Sequence, residues 1–447
     1  MKFAVWLAVS GAALGIAGVA SAADAAKARS DLPLVTKAPQ TAQESVSPQW
    51  TTTFASEVRY YSWTSNRGSP TGVNLNPGSG TQVYVPYALQ LVGSPSDQFK
   101  VELLGRGGWV RSRQSTLGLT GEVDTATDTV ASGTVTYLGL DGVQPFASLN
   151  VNIPTGTAAL AGSAANARLD PDLVEISSFG EGWNIGPTIG FNLPITPDLI
   201  FTTSAGYTLR GSFDRENSLT PLDPTLPPST AQVPTSLKPG EVLTLTAALA
   251  SRWGAWSSQL LGSLSEETKT FENGIALYKP GRRYLAAATM SYGWPETWGV
   301  TTLNAAIAHS DRNDVLFLGA PALVTEPFNT NSNVYRVDLQ HLVPLGPIWL
   351  GPTGSYLHRD KNSYNTLTLQ YVPAKERIGA GMIARYAATD QVTFNLRAER
   401  VWTREDEKDA INGQVFSVLA DAFVKGSAVP VVSGDAWQVL SGLNVRF

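Results

Sequence analysis

The stretch from Trp437 to Phe447 constrains the fold more than any other. Trp437, Val439, Ser441, Leu443, Val445 and Phe447 are apolar or small, and Gln438, Gly442, Asn444 and Arg446 alternate with them. A period of two residues puts the two sets on opposite faces of a strand, one apolar and one wet. The same alternation recurs from Trp50 onward. Trp50 to Trp63 places Phe54, Val58 and Tyr60 on one face and Glu57, Arg59 and Tyr61 on the other. Gln82 to Leu91 alternates Val83, Val85, Tyr87, Leu89 and Leu91 with smaller or polar residues, and Phe99 to Arg111 alternates Phe99, Val101, Leu103 and Trp109 with Lys100, Glu102 and Arg106.

Between such segments, long polar loops and tight turns take turns. Long loops are expected near Ser65–Gly80, Ser115–Thr129, Pro154–Gly182, Ser212–Pro239, Phe271–Gly281, Asp311–Ser332, Asp360–Lys375 and Glu405–Gly434. Tight turns are expected near Ser94–Asp97, Asp141-Gly142, Thr196–Asp198, Trp253-Gly254, Pro295-Glu296, Pro344–Gly346 and Thr389-Asp390, each marked by Gly, Pro or Asp. The alternation gives about sixteen strands, within a range of roughly twelve to eighteen. No apolar run after residue 22 is long enough for a membrane-spanning helix. A membrane protein without such helices satisfies its backbone between strands, which demands closure. The expected fold is therefore all-β: a transmembrane antiparallel barrel with short periplasmic turns and long extracellular loops.

The ending resembles the closing strand of bacterial outer-membrane barrels. The resemblance implies that Phe447, with Val445 and Leu443, is the signal read by the barrel-assembly machinery, and that the partners are outer-membrane lipid and small solutes. The start agrees. Lys2, the apolar run Phe3 to Val19 and Ala20-Ser21-Ala22 read as a secretory signal peptide over 1–22. Residues 23–49 read as a periplasmic lead-in, and 50–447 as the barrel. The chain has no cysteine, which excludes a disulfide framework and thiolate metal sites. All mature tryptophans are expected at the two membrane interfaces: Trp63, Trp109, Trp183, Trp402 and Trp437 at the outer rim, Trp50, Trp253, Trp256, Trp294, Trp298 and Trp349 at the periplasmic one.

The wet phase of the strands predicts the lining of the lumen: Arg59, Arg106, Arg210, Arg283, Arg336, Arg385 and Arg397, with Glu57, Glu102, Asp338 and Glu399. Basic residues prevail there, whereas Glu122, Asp124 and Asp128 are assigned to an outer loop. Rings of arginine favour anions; pairs such as Glu57 with Arg59 or Arg397 with Glu399 would instead brace the wall. Asp409 to Val424 is spaced like a helix, which either folds into the mouth as a constriction or packs on the outer rim; 23–49 is placed to plug the lumen but is polar and without the apolar content of a hatch. The three histidines, His309, His341 and His358, form no catalytic or metal-binding pattern with neighbours in sequence, and no phosphate loop or nucleic-acid patch is present. No enzyme activity and no cofactor are expected.

Gly142 to Gly156, with Phe146-Ala-Ser-Leu-Asn-Val-Asn-Ile-Pro-Thr-Gly, and Phe179 to Asp214, with Ser-Ala-Gly-Tyr-Thr-Leu-Arg-Gly, resemble the outer-membrane transporters of phenol and aromatic degradation pathways. Ile153 stands where that family has Leu. The resemblance implies a passive transporter of small aromatic or apolar compounds. The residues themselves favour a porin-like channel for passive diffusion of small solutes, with mild anion preference. A specific transporter of hydrophobic compounds and a structural surface barrel are the alternatives.

Overall fold

The computed structural model describes residues 50–66, 78–116, 119–161, 164, 167, 174, 176, 178–216, 234–295, 297–426 and 428–447. The expected signal peptide and the lead-in lie outside them. The main sheet contains β1 (Trp50–Ser65), β2 (Gly78–Ser96), β3 (Phe99–Thr116), β4 in two pieces (Leu119–Ala126 and Thr129–Tyr137), β5 (Gln144–Ile153), β6 (Asn184–Thr196), β7 (Leu199–Arg210) and β8 (Val242–Trp253). It continues through β9 (Trp256–Glu267), β10 (Arg283–Gly293), β11 (Val300–Ser310), β12 (Val334–Leu345), β13 (Ile348–Arg359), β14 (Lys375–Ala387), β15 (Val392–Glu405) and β16 (Val432–Arg446). Topologically the sheet has 17 strands, but the two pieces of β4 share the partner β3, so the barrel has sixteen. Each strand pairs antiparallel with its sequence neighbours, and β1 pairs with both β2 and β16. That last pairing removes both edges and satisfies the backbone without water.

Direct partners across strands share a face. Starting from Tyr61, the chain of partners runs Gln82–Tyr61–Gln438–Glu399–Gly381. Tyr61 and Gln82 are buried, so this phase points inward; Val58, Tyr60, Tyr87 and Leu89 in the opposite phase are exposed. Followed round all sixteen strands, the two phases return to themselves without conflict. The outer phase carries Leu103, Leu149, Ile189, Leu245, Leu260, Leu339, Met382, Phe394 and Leu396, all exposed. In water such a belt would be an aggregation surface; in a bilayer it is solvated by lipid tails. Trp50, Trp109, Trp183, Trp253, Trp256, Trp294, Trp298, Trp402 and Trp437 are exposed at the two ends of this belt, forming the girdles of a membrane barrel. With no helix long and apolar enough to cross a membrane among the described residues, the spanning elements are the strands. The molecule is an outer-membrane β-barrel.

Several sequence expectations need correction. Trp63 is buried, on the inner register beside Tyr61, and Trp349 shares the inner phase through its partner Arg385. Proximity to a rim does not decide the face; parity does. Residues 115–129 do not form an open loop: β3 and β4 continue as a tall hairpin to Thr116 and Leu119. The strands β1, β2 and β3, with 16, 19 and 18 residues, are longer than the roughly 9–11 needed to cross a bilayer, so this sector rises above the membrane. Finally, the helix expected over 409–424 is a β-hairpin, Gln414–Ser417 with Ala422–Lys425. Asn412 and Gly413 hold positive φ just before it, which an α-helix does not accommodate, and Val415, Phe416, Phe423 and Val424 suit strands.

The outer connections build their own layer. Phe213–Glu216, Pro234–Lys238, Thr270–Glu272, Ile275–Lys279, Asp314–Val315 and Val324–Thr325 form a six-stranded sheet from three successive loops. Asn273 and Gly274, both at positive φ, make its tightest turn. Behind it, buried Glu326 accepts hydrogen bonds from Asn313 N (2.9 Å), Asn313 Nδ2 (3.1 Å), Thr330 N (3.1 Å) and Tyr364 Oη (3.5 Å). The loop over 406–431 packs on the same layer, with Leu318 N donating to Leu419 O and Leu369 N to Phe416 O.

Candidate functional site: the inner wall and its third loop

All eleven residues chosen from the wet phase stand on the inner register. They do not stand alone. Arg59 Nε lies 2.6 Å from Glu57 Oε2, and Arg397 Nη2 lies 2.8 Å from Glu399 Oε1. Arg210 bridges Glu267 (3.0 Å) and Glu181 (3.4 Å), and Arg283 reaches the other oxygen of Glu267 at 4.0 Å. Glu102 accepts from Gln90 at 2.8 Å. Asp338 lies between its register partners Asn304 and Ser355, and Arg336 between Ala306 and Leu357. Arg106 and Arg385 have no acidic partner among the described residues; Arg385 donates to Asn395 Oδ1 at 3.1 Å. Most wall charges are therefore braced, and a few basic ones are not.

The charge is unevenly placed. On β14 and β15 the inner phase includes Lys375, Arg377, Arg385, Arg397, Glu399 and Glu405. On β5 and β6 it is Gln144, Phe146, Ser148, Asn150, Asn152, Asn184, Gly186, Thr188, Gly190 and Asn192, without one charge. In a sixteen-stranded cylinder β6 and β14 are eight strands apart, so a basic wall faces a neutral amide and hydroxyl wall.

Sequence reasoning missed an element that lines the inner wall at the mouth: the connection between β5 and β6, whose described residues pack on the inner face of other strands. Among its described residues, Val174 is buried with Tyr61, Trp63, Val401 and Ala436, inner-phase residues of β1, β15 and β16. Ile176 meets β2: its carbonyl accepts from Gln82 Nε2 (2.6 Å) and its N–H donates to Gln82 Oε1 (3.2 Å). Phe179 and Leu160 are buried with Val110 of β3 and Val123 of β4. Its described residues thus lie on the inner face of the tall sector, from β15 and β16 round to β4. The burial of apolar Val110 and Val123 on a wet face was the available signal: an apolar residue in the lumen phase asks for a partner.

Both ends of this loop meet Asp128. Between the register pairs Arg106–Val130 and Trp109–Ala126, β3 has two residues and β4 has three. The extra residue is a β-bulge at Thr127–Asp128, and it turns Asp128 into the inner phase. Asp128 Oδ1 accepts from Gly156 N at 2.9 Å; Oδ2 accepts from Glu181 N and from Asn152 Nδ2, both at 2.8 Å. A side chain on Gly156 would collide with the Phe179 carbonyl, so only glycine lets the two ends of the loop close on each other. The expected outer-loop acid Asp128 is in fact a wall residue. Glu122, also expected in a loop, is on β4 and pairs with Arg111 (2.6 Å) and Arg113 (2.7 Å) on the outer side.

The histidines lie in the outward phase. His309 Nδ1 is 2.7 Å from Asn333 Oδ1, and His341 Nδ1 is 2.8 Å from Thr301 Oγ1. His358 stands between Asp360 (3.1 Å) and Glu376 (3.7 Å), the latter from the next strand and invisible to reading along the chain. No group of three metal-ligating side chains converges among the described residues.

Closed wall, inner polar phase and outer apolar belt define the class: a sixteen-stranded, porin-like barrel of the outer membrane. No protein-family model matches the sequence, and no curated protein does. Among solved structures the chain is similar to an anion-selective porin from Comamonas acidovorans, at 13% identity over 90% of this chain and 99% of that one, with a TM-score of 0.39. It is also similar to OpdL of Pseudomonas aeruginosa, at 10% identity over 89% and 99%, TM-score 0.40. A third is the monoaromatic hydrocarbon channel CymD, at 12% identity over 89% and 88%, TM-score 0.36. These likenesses are too distant to carry a solute from any of them to this chain.

Proposed function

We propose that the protein is a passive diffusion channel for small solutes, with a mild preference for anions. The observation that carries this reading is the inner wall: a surplus of basic residues on β14, β15 and β3, including Arg106 and Arg385 without acidic partners among the described residues, facing the uncharged wall of β5 and β6. In a water-filled lumen, fixed guanidinium groups raise the local concentration of anions and oppose cations. Braced pairs such as Arg59–Glu57 contribute little net charge. They keep the wall polar and rigid. The candidates named from the sequence divide on this reading: Arg106 and Arg385 set the ion preference, and Arg59, Arg210, Arg283, Arg397, Glu57 and Glu399 hold the wall in shape.

The test is single-channel recording of purified, refolded protein in planar bilayers under a salt gradient. Stable conductance with a reversal potential of the anion-selective sign is expected. The double variant R106Q/R385Q is expected to move that potential toward zero while leaving the barrel folded. A folded barrel that stays silent, or one that prefers cations, contradicts the reading.

A further inference from the structure

Resting on the channel reading above, we propose that Asp128 is the positioning residue that holds the loop 154–182 against the inner wall and so sets the width of the outer mouth. Three donors converge on its one carboxylate, from the first turn of the loop (Gly156), its last residues (Glu181) and the neighbouring strand (Asn152). Around it the contacts are neutral hydroxyls: Thr125 Oγ1 with Thr157 Oγ1 at 2.7 Å, and Thr129 Oγ1 with Thr155 Oγ1 at 3.0 Å. The carboxylate ties both ends at once, and it does so because the bulge re-aims it. Hydrogen bonds to a charged acceptor are the strong ones. The middle of the loop gains its burial against Tyr61, Gln82 and Val110 only while the two ends stay fixed. Released at Asp128, the loop has no ionic tie at its first turn, and the inner face of β1 to β4 opens to water.

Asp128→Asn keeps the shape but turns an NH2 toward N–H donors. Gly180→Ala is a second variant that keeps the carboxylate but crowds its tie: the new methyl would lie 3.0 Å from Asp128 Oδ1 and 2.9 Å from the Gly156 carbonyl carbon, pushing the two ends of the loop apart. Heat-modifiable mobility on electrophoresis reports whether the barrel is closed. Two readouts follow on the folded protein in detergent and in bilayers: the rate of proteinase K cleavage within residues 154–182, mapped by mass, and single-channel conductance. Cleavage is expected to accelerate about tenfold or more, the effect of losing one hydrogen bond to a charged group, and conductance is expected to rise and grow noisier. Unchanged cleavage in a folded variant overturns the proposal, as does faster cleavage with unchanged conductance. A silent wild type sinks the channel reading and the claim about mouth width, while the cleavage rate still decides whether Asp128 holds the loop. If Asp128→Asn fails to fold, the same outcomes are read from Gly180→Ala.

Discussion

Arg210 and Glu267 illustrate what a charge in this wall does. Their side chains retain 5% and 7% of their exposure and lie 3.0 Å apart. Removing Arg210 leaves buried Glu267 with the more distant Arg283, 4.0 Å away, a loss approaching the about 3–5 kcal/mol of a broken buried pair. Arg210→Ala is therefore expected to lower the urea midpoint of the refolded barrel strongly, and Arg210→Ala with Glu267→Gln to recover part of it, since Arg283 also faces Glu267; an unchanged midpoint in the single variant contradicts the pairing. In the outer layer, Tyr278 and Tyr364 make a second case. Burial pushes both phenols up to about 12, helped at Tyr364 by the Glu326 carboxylate. An ordinary tyrosine ionises near 10. The fold favours the neutral form, so its contribution to stability is complete below pH about 10 and is lost as pH rises through about 12. An alkaline titration followed by tyrosinate absorbance should show late-ionising groups, Tyr278 and Tyr364 among them, with the outer loops becoming protease-sensitive in that window. Simultaneous ionisation of all tyrosines near pH 10 in the intact protein would contradict it.

At the scale of elements, strands were legible and loops were only partly so. A strand announces itself through parity, and the expected tight turns fall at strand junctions, though strands take in Ser94 to Ser96, Thr196, Trp253, Pro344 and Leu345; Glu296 lies outside the described residues. Loops lack a period, and their contacts come from far along the chain. Gln82 and Ile176, which bond to each other, are 94 residues apart, and no pattern in either segment names the other. Three signals were nevertheless present. Asn273-Gly274 and Asn412-Gly413, both at positive φ, are strong hairpin markers. The first accounts for the hairpin in place of an open loop at 271–281, and the second for the failure of the helical reading at 409–424. Val110 and Val123 on a wet face were the third signal, for the loop that covers them. Asp128 was not legible as a wall residue, because one extra residue reverses the phase of everything before it.

Across the whole molecule, two interleaved sets of residues, followed partner to partner through all sixteen strands, separate lipid from an aqueous lumen. The phase read on Trp437 to Phe447 agrees with the phase found at Tyr61 after the entire circuit, because β16 closes on β1 with Gln438 opposite Tyr61. Closure of this kind leaves no freedom for a one-residue slip, since a slip would drive Arg377, Glu399 and Arg397 into the hydrocarbon at about 2–4 kcal/mol for each arginine at mid-bilayer. The native chain has no cysteine, which makes one measurement unusually direct. Single cysteines at alternate positions, Leu443, Asn444, Phe394 and Asn395, are introduced one at a time. Each is exposed to a charged, water-soluble thiol reagent in the refolded, bilayer-embedded protein. Labelling is expected at positions 444 and 395 and not at 443 and 394; labelling of both faces, of neither, or of the opposite pair would contradict the lumen and the fold built around it.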